Sequence, residues 1–345
     1  MKKHFLLFLL VTLSMACIKS EENSSVPNPK NQTDPTDNTS GGSNDNSNDD
    51  GNNGASDTGL SDITSDFLTL ISAEGFVGAQ VAIIRNEKLV YLKSFGTADN
   101  SSGHTVNNRS LFRIASISKP ITLMAISKLV AENKLSTSDL IFGSNGILGT
   151  QYGKPPYETL EESIQVSHLI DHTAGFANEP YDIMFDDVML SQADLIGKVL
   201  DERSLAETPG AKYEYSNFGY CLLGRIIEEV SGMGYEQYVR DEILGPMDIR
   251  DMMVGGNTRD DAFPGEVAYY SNWASPYGMN VTRMDSHGGW IATAESLARL
   301  AVHTDTQGSF PDLLPSGEAL GYLSSGNWNH NGALPGTLSV LQVGN

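Results

Sequence analysis

Positive charge is scarce in this sequence: 22 Lys and Arg stand against 43 Asp and Glu in 345 residues, a formal charge of −21. A phosphate backbone would repel such a chain, and no basic cluster overrides the mean, which excludes nucleic acid as a partner. Cysteine is scarcer still. Two thiols, Cys17 and Cys221, cannot build a disulfide scaffold. Membrane-spanning length is missing too, since the apolar run at the amino terminus, Phe5 to Leu13, spans nine residues, where a spanning helix needs about 20. What the chain does have is 39% hydrophobic residues, enough at this length for a substantial core.

Lys2, Lys3 and His4 precede that run, and Ser14, Met15 and Ala16 follow it up to Cys17. Basic, apolar and small residues in this order read as an export signal over residues 1–16. A cysteine directly after the small residue resembles the cleavage site of bacterial lipoproteins, which implies Cys17 as the lipid anchor and the cell envelope as the location, with the membrane a partner through that lipid. Residues 17–60 continue as a tether. From Ile18 to Leu60 there are eight acids, two lysines and almost no large apolar side chain, a composition that cannot offset its own ordering entropy. The globular part is then 61–345.

Ser61-Asp62 can cap a short helix that places Ile63, Phe67, Leu68 and Ile71 on one face. Val77 to Arg85 and Leu89 to Gly96 read as strands joined by a hairpin at Asn86-Glu87-Lys88. Ile117 to Val130 is helical by pattern, with Pro120 tolerated in its first turn. Helical pattern also covers most of Leu160 to Leu205, then Gly219 to Val230 and Ala294 to Val302, and strand signal returns at Thr337 to Val343. The fold class is therefore α/β in the α+β sense: an antiparallel sheet built from both chain ends, flanking helices, and a mostly helical region inserted between them.

The chemistry begins at Ser116-Ile117-Ser118-Lys119. Residues at i and i+3 share a helix face, so the Lys119 amine can lie over the Ser116 hydroxyl and take its proton if desolvation lowers its pKa. Free N–H groups at the helix start can stabilise charge on an attacked carbonyl. A Ser-x-x-Lys alone is weak, because about one is expected by chance in such a chain. Tyr215-Ser216-Asn217 lies in a loop before a helix, where a phenol can carry protons and an amide can bind substrate or the lysine. His330-Asn331-Gly332 opens a strand, with a donor in His330 and close backbone approach at Gly332. His168 and His172, at i and i+4, could pair on a metal, but a third ligand at useful spacing is missing. Neither metal nor cofactor is expected. Cys221 reads as a buried thiol, and Trp290 and Tyr157 as core or cleft rim.

In this order and with their flanks, Leu111 to Ser116, His168 to Gly175, Tyr215 to Gly224 and His287-Gly288-Gly289-Trp290 resemble the penicillin-recognising serine hydrolases, the class C β-lactamase and D-alanyl-D-alanine carboxypeptidase family. The resemblance runs from about Phe76 to the end. It implies Ser116 as the acylated nucleophile, Lys119 and Tyr215 sharing proton transfer, and Asn217 orienting Lys119 and substrate. His330 stands where many relatives carry Lys, and the backbone N–H groups of Ser116 and Ala333 would form the oxyanion hole. Relatives continue past this strand with two more strands and a helix, whereas here 13 residues follow Gly332. The resemblance therefore implies a sheet without its middle, from an incomplete reading frame. The function expected is serine-dependent hydrolysis of an amide, lactam or ester carbonyl in a small-molecule or peptide substrate. The alternative is a surface binding protein that keeps the pocket without turnover.

Overall fold

The computed structural model describes residues 8–15, 58–305, 312–315 and 317–344; Cys17 and the tether lie outside the described residues. Strands from both chain ends meet in one antiparallel sheet, as the sequence predicts. Strands β2 (Phe76–Arg85) and β3 (Lys88–Asp99) are joined by Asn86 and Glu87, whose φ of 52° and 59° give the two-residue turn that matches strand twist. Strands β8 (Trp328–Leu334) and β9 (Thr337–Val343) form a second hairpin, with Leu334 opposite Thr337 and Gly336 turning at φ 77°.

The expected gap between these hairpins is corrected by the structure. Strand β1 (Phe8–Met15) occupies it, and with β4 (His104–Thr105) the order is β4-β3-β2-β1-β9-β8. Phe8 to Ser14 run opposite Ile84 to Gly78, and Leu10 to Leu13 opposite Leu341 to Leu338. Two facing strand edges would otherwise each present unpaired N–H and C=O groups. An apolar run suits a central place, because a strand covered on both faces needs no polar alternation. The segment read as an export signal is thus also the one that closes the sheet.

Both faces are covered. Along β2, Ala82 and Ile84 join the main core, while Ala79, Val81 and Ile83 join a second core with Phe76, Tyr91 and Phe95. Helix α1 (Thr58–Glu74) covers the second core with Phe67 and Ile71; Leu68 points into solvent, so the buried face is narrower than the sequence pattern implies.

The main core is helical. Helix α2 (Ser118–Ala131) runs through it with almost every side chain buried, including Pro120 in its first turn. It packs on α6 (Asn217–Ser231), which ends at Gly232 with φ 70°, the left-handed cap that glycine favours. Helix α8 (Ala294–Val302) packs under β2, and α7 (Tyr235–Tyr238) adds one turn beside α6. A small sheet of order β5-β7-β6 (Phe112–Arg113, Trp290–Ala292, Met253–Val254) leads into α2.

Between Leu160 and Leu205 the helical expectation is too generous. Only α3 (Thr159–Glu162), α4 (Val166–Ile170) and α5 (Gln192–Glu202) form, and 171–191 is irregular apart from a 3₁₀ turn at Ile183–Phe185. A long-range donor explains how this loop holds its shape. The buried Arg283 guanidinium donates to the carbonyls of Met184, Asp186, Asp187 and Leu190 at 2.7–3.0 Å, supplying the partners that helix bonds would otherwise provide.

Candidate active site

Ser116 lies in a 3₁₀ turn, Ala115–Ile117, directly before α2. Ala115 has φ 48°, a left-handed conformation that costs a non-glycine residue roughly 1–3 kcal/mol. The turn is held from three sides: Ser118 Oγ donates to Ala115 O at 2.7 Å, Ser339 Oγ to Ile114 O at 2.6 Å, and the Ile114 N–H to Trp290 O at 2.9 Å. These bonds fix the kink that presents the Ser116 hydroxyl.

Lys119, one helix turn on, is completely buried. Its Nζ donates to Ser116 Oγ at 3.2 Å, Asn217 Oδ1 at 2.6 Å and the His287 carbonyl at 2.8 Å. It also sits 4.8 Å from the centre of the Tyr215 ring. Burial brings its pKa down to about 7, opposed by the nearby Asp182 carboxylate. An amine so placed exists in quantity as the free base at neutral pH, and the hydroxyl it would deprotonate is its hydrogen-bond partner.

Tyr215 completes this contact from the loop before α6. Burial pushes its phenol up to about 12, and a hydrogen bond with the Ser116 side chain acts in the opposite direction. At neutral pH it therefore holds its proton. Asn217, the first residue of α6, places Oδ1 on Lys119 while its Nδ2 donates to Asp182 Oδ2 at 2.5 Å.

Ser116, Tyr215, Asn217, Gly332 and Ala333 all line one cleft of about 270 Å³. Lys119 is buried behind this lining and meets it through its hydrogen bonds to Ser116 and Asn217. Gly332 has a clear physical requirement: a Cβ there would lie 2.3 Å from Ile114 O and 3.0 Å from the Ala115 Cβ, so only glycine lets β8 lie against the nucleophile turn. His330 is placed differently from the other candidates. It is absent from the cleft lining, its Nδ1 pairs with Asn331 O at 2.9 Å, and burial lowers its pKa to about 4, with the Lys119 charge acting in the same direction. It is therefore neutral at physiological pH and carries no charge comparable to a lysine. Asn331, to which the His330-Asn331-Gly332 motif assigns no role, does line the cleft, as do Phe185, Met284 and Leu334.

His172 is a second residue whose part was not legible. At φ 56° its ring lies 4.6 Å from that of Tyr215 and 5.0 Å from that of Tyr220, and Nδ1 accepts the Ser216 N–H at 3.0 Å. Burial depresses its pKa to about 3, so it is a neutral spacer beneath the tyrosine loop. His168 serves a separate amide, with Nδ1 accepting from Gln165 N. Cys221 is a free, buried thiol whose pKa burial pushes up to about 12, and Trp290 and Tyr157 belong to the core.

A profile of the family described as Beta-lactamase matches residues 61–336. Protein flp of Staphylococcus aureus (strain MW2) is 30% identical over 178 residues, 50% of this chain and 34% of that protein; the chain thus spans about a third of that relative's length. A putative D-alanyl-D-alanine carboxypeptidase of Escherichia coli O157:H7 is 30% identical over 277 residues, 69% of this chain and 62% of that one. The solved octameric penicillin-binding protein homologue from Pyrococcus abyssi superposes with a TM-score of 0.63 at 22% identity, over 83% of this chain and 74% of that chain. At that identity the likeness shows the fold.

Proposed function

Because the chain belongs to the Beta-lactamase family, a family of serine hydrolases, we propose that it is itself an acyl-transfer hydrolase with Ser116 as nucleophile. The observation that carries the reading is the 3.2 Å contact between Ser116 Oγ and a buried Lys119 amine whose pKa lies at about 7. Free-base Lys119 takes the hydroxyl proton as Oγ bonds to the substrate carbonyl carbon. The carbonyl electron pair moves onto oxygen, which would face the N–H groups of Ser116 and Ala333. As the leaving group's bond breaks, the proton returns from Lys119 through the protonated Tyr215 to the departing atom. Water then attacks the acyl ester, and the same groups remove its proton and restore Ser116.

The substrate class is a D-alanyl peptide, a β-lactam or a small ester. Export, with lipidation at Cys17, belongs to the same proposal and is supported by the order of residues 1–17. The test is to incubate the full chain and Ser116→Ala with a fluorescent penicillin, a chromogenic cephalosporin and a short-chain nitrophenyl ester. Ser116-dependent labelling or turnover supports the reading, and the substrate that turns over names the class. Equal reaction in Ser116→Ala, or no reaction with any of the three, refutes it in favour of a binding protein.

A further inference from the structure

Asp182 lies on the irregular loop between α4 and α5, 35 residues before Asn217 in sequence, yet its carboxylate reaches the nucleophile's partner lysine through a single side chain. Oδ2 accepts from Asn217 Nδ2 at 2.5 Å, and Oδ1 accepts from Met184 N at 2.9 Å, capping the 3₁₀ turn that carries Phe185 into the cleft wall. The carboxylate is held in place by its surroundings. Arg283 anchors four carbonyls in the segment that follows, those of Met184, Asp186, Asp187 and Leu190, and Asn178, just upstream, donates from Nδ2 to Tyr215 O at 2.6 Å and from its backbone N–H to Glu214 Oε1 at 3.2 Å.

We propose that Asp182 is a positioning residue of the acyl-transfer site, acting through Asn217 to keep the amide oxygen, rather than the amide NH₂, turned toward Lys119. The inference rests on the Ser116–Lys119 reading above. A carboxamide is nearly symmetric in shape but opposite in polarity at its two ends. Against a free-base lysine alone, either end could face Nζ, since an amine accepts as readily as it donates. A carboxylate accepts only, so a fixed carboxylate on the far side admits one orientation. The chain Asp182 carboxylate, Asn217 amide, Lys119 amine, Ser116 hydroxyl is then a line of polarised hydrogen bonds, in which each member strengthens the next. It also leaves the second Nδ2 hydrogen of Asn217, which lines the cleft, as a donor for a substrate carbonyl.

The other titratable groups around Lys119 are Tyr215 and Tyr220, whose rings lie under Nζ, and His172, His287 and His330, each lowered in pKa by burial and by the lysine's charge. Among these groups and Asp182, only Asp182 favours the ammonium form of Lys119. Removing its charge should therefore move the acidic limb of kcat/KM downward, while the flipped amide lowers the plateau.

Asp182→Asn is the informative variant, because asparagine caps a turn as well as aspartate does and leaves the structural duty intact. Losing a hydrogen bond to a charged group corresponds to a fall in kcat of about tenfold or more. The same substitution in an Asn217→Ala background should add nothing further, since the route runs through that amide. A second readout needs no turnover: the Asn217 side-chain NH₂ resonances should show one strongly downfield proton in the full chain and lose it in Asp182→Asn. Wild-type kcat and pH profile in Asp182→Asn, an equal loss in the Asn217→Ala background, or an unshifted amide resonance would each overturn the inference. Should Ser116→Ala instead retain full activity, the reading of the site fails, and the inference falls with it.

Discussion

Gly332 and Ile114 lie so close that strand β8 and the turn bearing Ser116 share one van der Waals surface. A Cβ on residue 332 would sit 2.3 Å from the Ile114 carbonyl oxygen and 2.3 Å from Ser339 Oγ, the hydroxyl that donates to that same carbonyl. The conformation of Ala115, and with it the direction of the Ser116 hydroxyl, is thus set by β8 and β9 rather than by α2 alone.

Gly332→Ala is therefore expected to push β8 away from the turn. Overpacking of this kind destabilises by roughly 1–3 kcal/mol, and a near-attack geometry disturbed by about 1 Å can cost about 10²-fold in rate. Thermal melting and Ser116 acylation rate, measured side by side, check this. The rate should fall by far more than a loss of folded protein at the assay temperature could explain.

The pH dependence follows from Lys119 and Tyr215. kcat/KM should rise with pH through an inflection at about 7, as Lys119 becomes free base, and should not fall again until near 12, where Tyr215 loses its proton. The sign for stability is the same. Lys119 titrates near 7 when folded and from 10.5 in its unperturbed form, so the unfolded chain binds more protons in between and the cost of burying the amine is relieved as pH rises from 7 toward 10.5. Below 7 that cost is fully present. Melting of the wild type against Lys119→Met across pH 6 to 10 reads the term directly: the wild type should gain on the variant as pH rises.

His172 supports the tyrosine loop as a neutral acceptor, so charge plays no part in what its removal does. His172→Phe keeps a ring under Tyr215 but leaves the Ser216 N–H unpaired in a buried setting, a loss of about 1–3 kcal/mol. Turnover should drop while its pH profile between 5 and 8 keeps the wild-type shape, because burial already holds the imidazole's pKa at about 3. A profile that changes shape would mean that His172 exchanges protons during the reaction.

What could be read in the sequence was what short-range geometry encodes. Ser116 and Lys119 are one helix turn apart, Tyr215 and Asn217 flank a helix start, and the 294–302 helix and 337–343 strand match the structure residue for residue. The remainder of the site is long-range. Asp182, His172 and Arg283 act through backbone amides, carbonyls and one carboxamide brought together by the fold, and no spacing rule marks them. The segment from 171 to 191 reads as helix in the sequence because its apolar residues recur at helical intervals, while its shape comes from a guanidinium 93 to 99 residues away from the carbonyls it holds. His330 reads as a strand residue, and it does lie in β8, but the cleft lining begins one residue later and takes in the run from Asn331 to Leu334, an extent that depends on how far the strand passes the Ser116 turn and not on any local pattern.

The amino terminus gives the sharpest test, since residues 1–16 read as an export signal while Phe8–Met15 fills the place between β2 and β9. Removing residues 1–16 vacates that place. Two inner strand edges would lose their partner, and the β8–β9 hairpin, which holds Gly332, Ala333 and Ser339 against the nucleophile turn, would keep its own pairing but lose its tie to β2. The chain starting at Cys17 is therefore expected to melt at lower temperature and less cooperatively than the full chain, with little hydrolysis. Added peptide of sequence 8–15 should restore part of both by strand addition. Equal melting and equal turnover in the two forms would show that the sheet does not depend on β1, and would favour export as the duty of the segment.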